Sequence, residues 1–162
     1  MQTKDIFNKL QTKFGTNIVE LVELENVLDP FIVVLPDEIK NITMFLRDNN
    51  EMQFDYLSMI SGVDDKDSIW AVYHLYSIPL KHKLVLKIKL NRNKPIVPTV
   101  ERVWKTANWH EREAFDMFGI EFDGHPDLDR ILCPEDWVGY PLRKDYVAPT
   151  VYNGIDATPN KI

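Results

Sequence analysis

Between residues 53 and 90 three runs of strand character follow one another with little chain between them. They are QFDYLSMI at 53–60, IWAVYHLYSI at 69–78 and KLVLKIKL at 83–90, rich in the β-branched and aromatic residues that suit a pleated surface. SGVDDKDS and PLKH read as turns, and connections this short favour antiparallel neighbours, because a parallel crossover needs about a dozen residues or more. The third run alternates strictly. Leu84, Leu86, Ile88 and Leu90 face one side, Lys83, Val85, Lys87 and Lys89 the other, so one side packs and the other is wet. A sheet of this kind has to be covered on its apolar face.

The flanks supply the cover. Ile6, Phe7, Leu10 and Phe14 recur at helical spacing in residues 2–14, and Gly15 is a stop. NIVELVEL and FIVVL read as short strands separated by the turn-forming Asp29-Pro30. Pro36, Asp37 and Glu38 suit a helix N-terminus, after which Ile39, Ile42, Phe45 and Leu46 share a face. A proline-marked stretch, NRNKPIVPTV, closes the sheet region. A third helical stretch runs from about Val100 to Phe118 and stops at Gly119. The order predicts an α+β fold, a mainly antiparallel or mixed sheet of about five strands with helices packed on one face. Residues 1–118 would form this domain, and residues 119–162, richer in prolines and without period, an extended C-terminal docking tail.

Composition narrows the chemistry. At 162 residues the chain suits one domain with a core, and 44% apolar against 27% charged residues is the balance of a globular protein. A net charge of −6 argues against a general nucleic-acid binder. The opening MQTKDIFNKL lacks the pattern of a signal peptide, and no apolar run reaches the ~18 residues of a membrane span. Membrane association would therefore come through a partner. The single cysteine, Cys133, excludes an internal disulfide and cannot supply the several thiolates of an iron–sulfur cluster. Neither a Gly-x-Gly-x-x-Gly nor a phosphate-binding Gly-Lys-Ser/Thr loop is present, which argues against nucleotide binding by those loops.

The densest chemistry lies in NWHEREAFDMFGIEF, residues 108–122. A zinc-protease helix would need a second histidine at position 114, which is alanine. A di-iron helix would carry Glu-x-x-His, whereas this one has the reverse order, His110 to Glu113, and only once. Glu111, Glu113 and Asp116 could in principle divide acid and base roles, but no serine, cysteine or lysine nucleophile stands nearby. The spacing fits a structural role better. Ala107, Ala114, Phe115 and Phe118 form an apolar stripe with Glu111 inside it, where a carboxylate must be hydrogen-bonded and paired. An arginine from the tail or from a partner is the expected mate for Glu111, and Arg112 and Asp116, four apart, can pair along the helix.

Elsewhere the readings are plainer. The row KHKLVLKIKLNRNK, six Lys or Arg and no acid, reads as a solvated strand face opposed by acids on neighbouring strands, with an anion-binding face as the alternative. His74 reads as a half-buried, satisfied histidine and Cys133 as an inert thiol. In HPDLDRILCPEDWVGYPLRKDY, aromatics, prolines and arginines alternate without period. Trp137, Tyr140, Tyr146, Arg130 and Arg143 are residue types enriched at interface anchors.

EREAFDMFGIEFDGHPDLDRIL followed by GYPLRKDY closely resembles the paired signature of the C-type subunit of NADH-quinone oxidoreductase, the 30 kDa subunit family of respiratory complex I. The match spans about residues 104–147, with Asp129 where a basic residue is usual and Tyr140 where histidine is common. The resemblance implies a non-catalytic subunit of the hydrophilic arm. It would carry no cofactor of its own, flavin and iron–sulfur clusters being held by partner subunits. The implied partners are the large quinone-site subunit (D-type) and the terminal-cluster subunit (B-type). The implied location is the cytoplasmic side of the bacterial inner membrane, peripherally. Expected at the partner interface are Glu111, Arg112, Glu113, Asp116, His125, Arg130, Trp137, Tyr140, Arg143, Lys144, Asp145 and Tyr146. Homologous subunits of membrane-bound hydrogenases, the F420H2 dehydrogenase and the ferredoxin-fed photosynthetic complex share the resemblance. A free-standing carboxylate enzyme and an anion-binding module are the readings from other classes.

Overall fold

The structure, a computed structural model, describes residues 1–23 and 29–157, apart from the side chain of Val19. Helix α1 (Thr3–Phe14) leads into strand β1 (Ile18–Val22), then β2 (Phe31–Val34) and helix α2 (Ile39–Asp48). A meander follows of β3 (Tyr56–Asp64), β4 (Ser68–Ser77) and β5 (His82–Asn91). Strand β6 (Ile96–Pro98), helix α3 (Ala107–Phe118), β7 (Glu121–Asp123) and a terminal hairpin of β8 (Val151–Tyr152) and β9 (Ile155–Asp156) complete it. The end of the NIVELVEL run and residues 158–162 of the expected tail lie outside the described residues.

The main sheet has the order β1-β2-β5-β4-β3. β3, β4 and β5 are antiparallel neighbours, as their short connections require, whereas β2 lies parallel to β5. The sheet is therefore mixed, with five strands. Leu84, Leu86, Ile88 and Leu90 of β5 join Ile69, Ala71, Tyr73 and Leu75 of β4 on the packed face. Ile6 and Leu10 from α1, and Ile39, Ile42 and Leu46 from α2, close over it. The helices pack with the apolar phase their spacing gave.

Three boundaries differ from the expectation. β3 runs on through Ser61-Gly62-Val63-Asp64, and the turn shrinks to residues 65–67. Gly62 looks like a turn residue, yet it is needed inside the strand. A Cβ built there would lie 2.3 Å from the Phe118 ring, so its missing side chain is where α3 meets the sheet. Helix α3 starts at Ala107 rather than near Val100; before it, the Val100 carbonyl accepts from the N–H groups of Val103 and Trp104 in a separate turn. The division at residue 118 also fails. Ile120 and Phe122 belong to the core, and β7 pairs parallel with β6. Residues 119–123 continue the domain.

Candidate functional site

Helix α3 and the chain from Gly119 to Tyr152 form the site in which most of the charged motif residues meet. Its two buried acids set its character. Glu111 has no exposed surface, as its place in the apolar stripe required. Its carboxylate accepts bonds from the Thr99 hydroxyl at 2.5 Å and the Val100 N–H at 2.8 Å. The His125 side chain, also fully buried, brings Nε2 to 3.9 Å of it and to 3.3 Å of the Asn108 carbonyl. No arginine reaches Glu111 among the described residues, which corrects the expected pairing. Its full burial also removes it from any partner surface. Burial dominates, outweighs the two donors, and with help from Glu101 raises the carboxyl from an ordinary 4.5 to about 7.

Asp116 is equally buried but differently supplied. Its side chain takes Arg130 Nη1 at 2.6 Å and the N–H groups of Ile131, Leu132 and Cys133 at 3.1, 2.7 and 2.9 Å. Burial pushes it up, but the Cys133 and Leu132 N–H groups, Arg130 and the Ile131 N–H together hold it below the usual carboxylate range. Its mate is thus an arginine of the following segment, not Arg112. Arg112 turns instead to the Asp129 carbonyl and to Asp127, 3.6 Å away, and lies over the Trp109 ring. Burial and the nearby Asp116 push the Cys133 thiol up, which keeps it protonated and unreactive.

The same segment caps the helix. The last four carbonyls of an α-helix have no partner within it. Here Phe115 O accepts from Gly119 N–H at 2.8 Å, Asp116 O from Arg130 at 3.1 Å, Met117 O from Leu142 N–H at 3.1 Å, and Phe118 O from Arg143 Nε at 2.6 Å. Two guanidinium groups at a helix C-terminus also suit its dipole. The Tyr140 ring sits between them, 5.4 Å from Arg130 and 4.7 Å from Arg143, and covers Gly119. Gly119 has φ 70°, and a Cβ there would meet the Tyr140 ring at 2.4 Å, so glycine is required twice over.

A third acid was missed by sequence reasoning because it sat in a presumed turn. Asp64 at the end of β3 binds Arg92 and accepts the N–H groups of Lys144, at 2.7 Å, and Lys66, at 2.8 Å. The Arg92 bond, then those N–H groups, hold Asp64 well below the usual range against its burial. Asp145 lies 2.8 Å from Arg92, so GYPLRKDY is fastened at both the helix and the sheet. Trp137 packs at 5.1 Å against Tyr152, whose hydroxyl donates to Asp136, and Tyr146 lies against Gly139. Glu113 and the Lys144 side chain stand exposed. The basic row on β5 meets more aromatics than acids: Lys87 lies over Phe31 and Lys89 over Trp70, while Lys83 pairs with Asp29. His74 is half-buried on that face, and burial lowers its pKa. Among the described residues no cluster of three His, Cys, Asp or Glu side chains is placed to hold a metal ion, and no helix is long and apolar enough to cross a membrane.

The fold and site together define a class: a mixed-sheet α+β protein whose charged helix is capped and pinned by a polar C-terminal strap. The chain belongs to the family described as respiratory-chain NADH dehydrogenase, 30 Kd subunit, whose model matches residues 32–152, sheet and strap alike. It is 45% identical over 152 residues to the NADH-quinone oxidoreductase C-type subunit of Chloroherpeton thalassium, covering 92% of this chain and 62% of that one. With its counterpart from Chlorobium phaeobacteroides it shares 44% over 153 residues, covering 92% and 91%. The chain thus spans less than two thirds of the first relative and nearly all of the second. Among solved structures, a trypsin-resistant fragment of Nqo5 superimposes with a TM-score of 0.62 at 26% identity, over 79% of this chain and all of the fragment. A chain from the membrane-bound sulfane sulfur reductase, an archaeal respiratory membrane complex, gives 0.72 at 25%, over 89% and 85%.

Proposed function

We propose that this chain is a structural subunit of a proton-translocating NADH:quinone oxidoreductase. It would sit in the hydrophilic arm, peripherally on the cytoplasmic side of the bacterial inner membrane. Electrons pass from NADH to quinone through flavin and iron–sulfur clusters held by other subunits, and this chain contributes assembly rather than catalytic residues. Its partners are the large quinone-site subunit and the terminal-cluster subunit. The observation that carries the reading is the family match through residues 32–152, which takes in the strap as well as the sheet. The site's geometry agrees with it. Asp64, Glu111 and Asp116 are occupied in fastening the chain to itself. The exposed Val138 and Val147, 84% and 87% accessible, with Leu132 and Leu142, leave an apolar outer surface on the strap for a neighbour to cover. The likeness to the sulfane sulfur reductase chain supports one second reading, a homologous subunit of a related membrane-bound complex with a different electron donor.

The test is purification from native membranes through a tag on this chain. Co-purification with large redox subunits, and NADH-dependent quinone reduction that disappears when the gene is deleted, is the expected result. Electron transfer from a donor other than NADH in the same preparation would select the second reading. Recovery of the chain alone would overturn both.

A further inference from the structure

We infer that the outer edge of β3 is a docking site for one extended strand of a partner protein in the assembly, a strand with apolar residues at alternate positions and a Lys or Arg among them. The inference rests on the assembly reading above, and goes beyond it by naming the surface and the form of the ligand. β3 is the last strand of the sheet, with β4 on one side only. The β3–β4 turn is closed by the Asp65 N–H bonding to Ser68 O at 3.0 Å, and Asp64 lies opposite Ile69. Antiparallel rungs alternate from such a closing pair. Ile60 and Gly62 therefore point their N–H and C=O groups away from β4. No other backbone or side-chain group among the described residues takes them up.

The sequence of this edge is unguarded. Natural edge strands carry charges, prolines or strong irregularities that deter pairing. At the opposite edge, β1 is five residues long, bears Glu20 and has an irregular register between Ile18 and Glu20. From Tyr56 to Val63 β3 has no charged residue and no proline, and its one irregularity lies early, between Leu57 and Met59. An eight-residue uncharged edge left open would invite unwanted pairing, so it is built to be covered.

A groove of about 330 Å³ runs along this edge. Its sheet wall is five consecutive residues, 58–62, and its helix wall comes from α3 with Leu142 of the strap. Successive strand side chains point to opposite faces, so five in a row can share a groove only along the backbone edge. That edge offers alternating donors and acceptors, which an extended chain satisfies and a helix does not. Met59 and Leu142 stand exposed on the rim for apolar side chains, and the exposed carboxylate of Glu113 has no ion-pair partner among the described residues. The complementary strand brings a cation to Glu113.

Hydrogen exchange on the tagged native complex and on the full chain alone tests this. In the complex the amides of Ile60 and Gly62 should exchange at least about tenfold more slowly than in the isolated chain, as new ladder bonds require. A photo-crosslinker at Ser58 should label one short segment of a neighbouring subunit. Glu113→Lys, on the surface, should lower recovery of the chain in the complex without changing its melting temperature. Unchanged exchange at Ile60 and Gly62 in a complex that still contains the chain would overturn the docking site and leave the assembly reading standing. Crosslinks only to a second copy of this chain would overturn the proposed partner. Failure of the chain to enter any complex would overturn both.

Discussion

The two ends of α3 each bury an acid completely, and the two acids behave in opposite ways. At the N-terminal end Glu111 has a hydroxyl, one N–H and no arginine or lysine, and its carboxyl is raised to about 7. At the C-terminal end Asp116 has a guanidinium and three N–H groups, and its carboxyl is lowered. Neither has exposed surface, but Glu111 lies deeper and has fewer donors, while Asp116 is less desolvated and has more of them, one charged. One end holds an acid whose ionisation is pushed towards neutral pH, the other a carboxylate that acts as a clamp. Each ties α3 to chain outside it, Glu111 to Thr99 and Val100 ahead of the helix and Asp116 to residues 130–133 after it.

The largest test of this contrast is Asp116→Ala. It strands the Arg130 guanidinium and three N–H groups inside the protein, and removal of one member of a buried pair costs about 3–5 kcal/mol. Denaturant unfolding should show that loss, together with early protease cutting in residues 124–146. A loss no larger than that of a surface pair would mean that the strap is held without its clamp.

Next in size is the response to pH. Between about 4.5 and 7 the folded protein binds more protons at Glu111 than the unfolded chain does, so this end loses stability as pH rises through that window. The full effect is on the order of 3 kcal/mol. Asp116 and Asp64 have the opposite sign: their contribution is present above the ordinary aspartate range and is lost as pH falls through their lowered values. Unfolding free energies measured from pH 5 to pH 8 should decline, and Glu111→Gln, which keeps the shape without the charge, should flatten the decline. An unchanged slope in Glu111→Gln would assign the titration to another group.

How much of this could be read from residues alone follows the range of the forces involved. Alternation in β5 and the stripe on α3 are local periodicities, and both were legible, including Glu111 inside an apolar face. The motif that marked the family also pointed to the segment that fastens α3. What was not legible is which donor meets which acid. Arg112 stands four residues from Asp116, and helix geometry alone favours that pair, yet Arg130 wins because the strap also brings three N–H groups. Thr99, which serves Glu111, carries no local signal, since its role depends on how β6 and α3 cross. Ser61 to Asp64 read as a turn because glycine and aspartate usually mark one. Only the approach of Phe118 explains the glycine.

That approach gives a smaller test at the C-terminal end. Gly62→Ala forces a methyl group into the Phe118 ring and should cost about 1–3 kcal/mol by overpacking, with no change in the slope against pH. A neutral result would show that the ring moves freely and that the end of α3 is held by the strap alone. The smallest effect belongs to Asp127→Ala. Asp127 is 61% exposed and 3.6 Å from Arg112, and exposed pairs contribute roughly 0–1 kcal/mol. A thermal melt should barely register it; a loss approaching that of Asp116→Ala would undo the claim that donors and burial, not charge pairing as such, separate the two ends.

The parallel pairing of β2 with β5 bears on the order in which the chain is made. The β3–β4–β5 meander can form from neighbouring sequence as it leaves the ribosome, but Phe31 must wait for Val85 before β2 has its inner neighbour. Until then β1 and β2 form a lone two-stranded ribbon, marginal in water, with α1 and α2 uncovered on their apolar faces. The centre of the sheet is thus its last seam to close, and synthesis that stalls before residue 85 leaves a chain with its apolar helices exposed to chaperones.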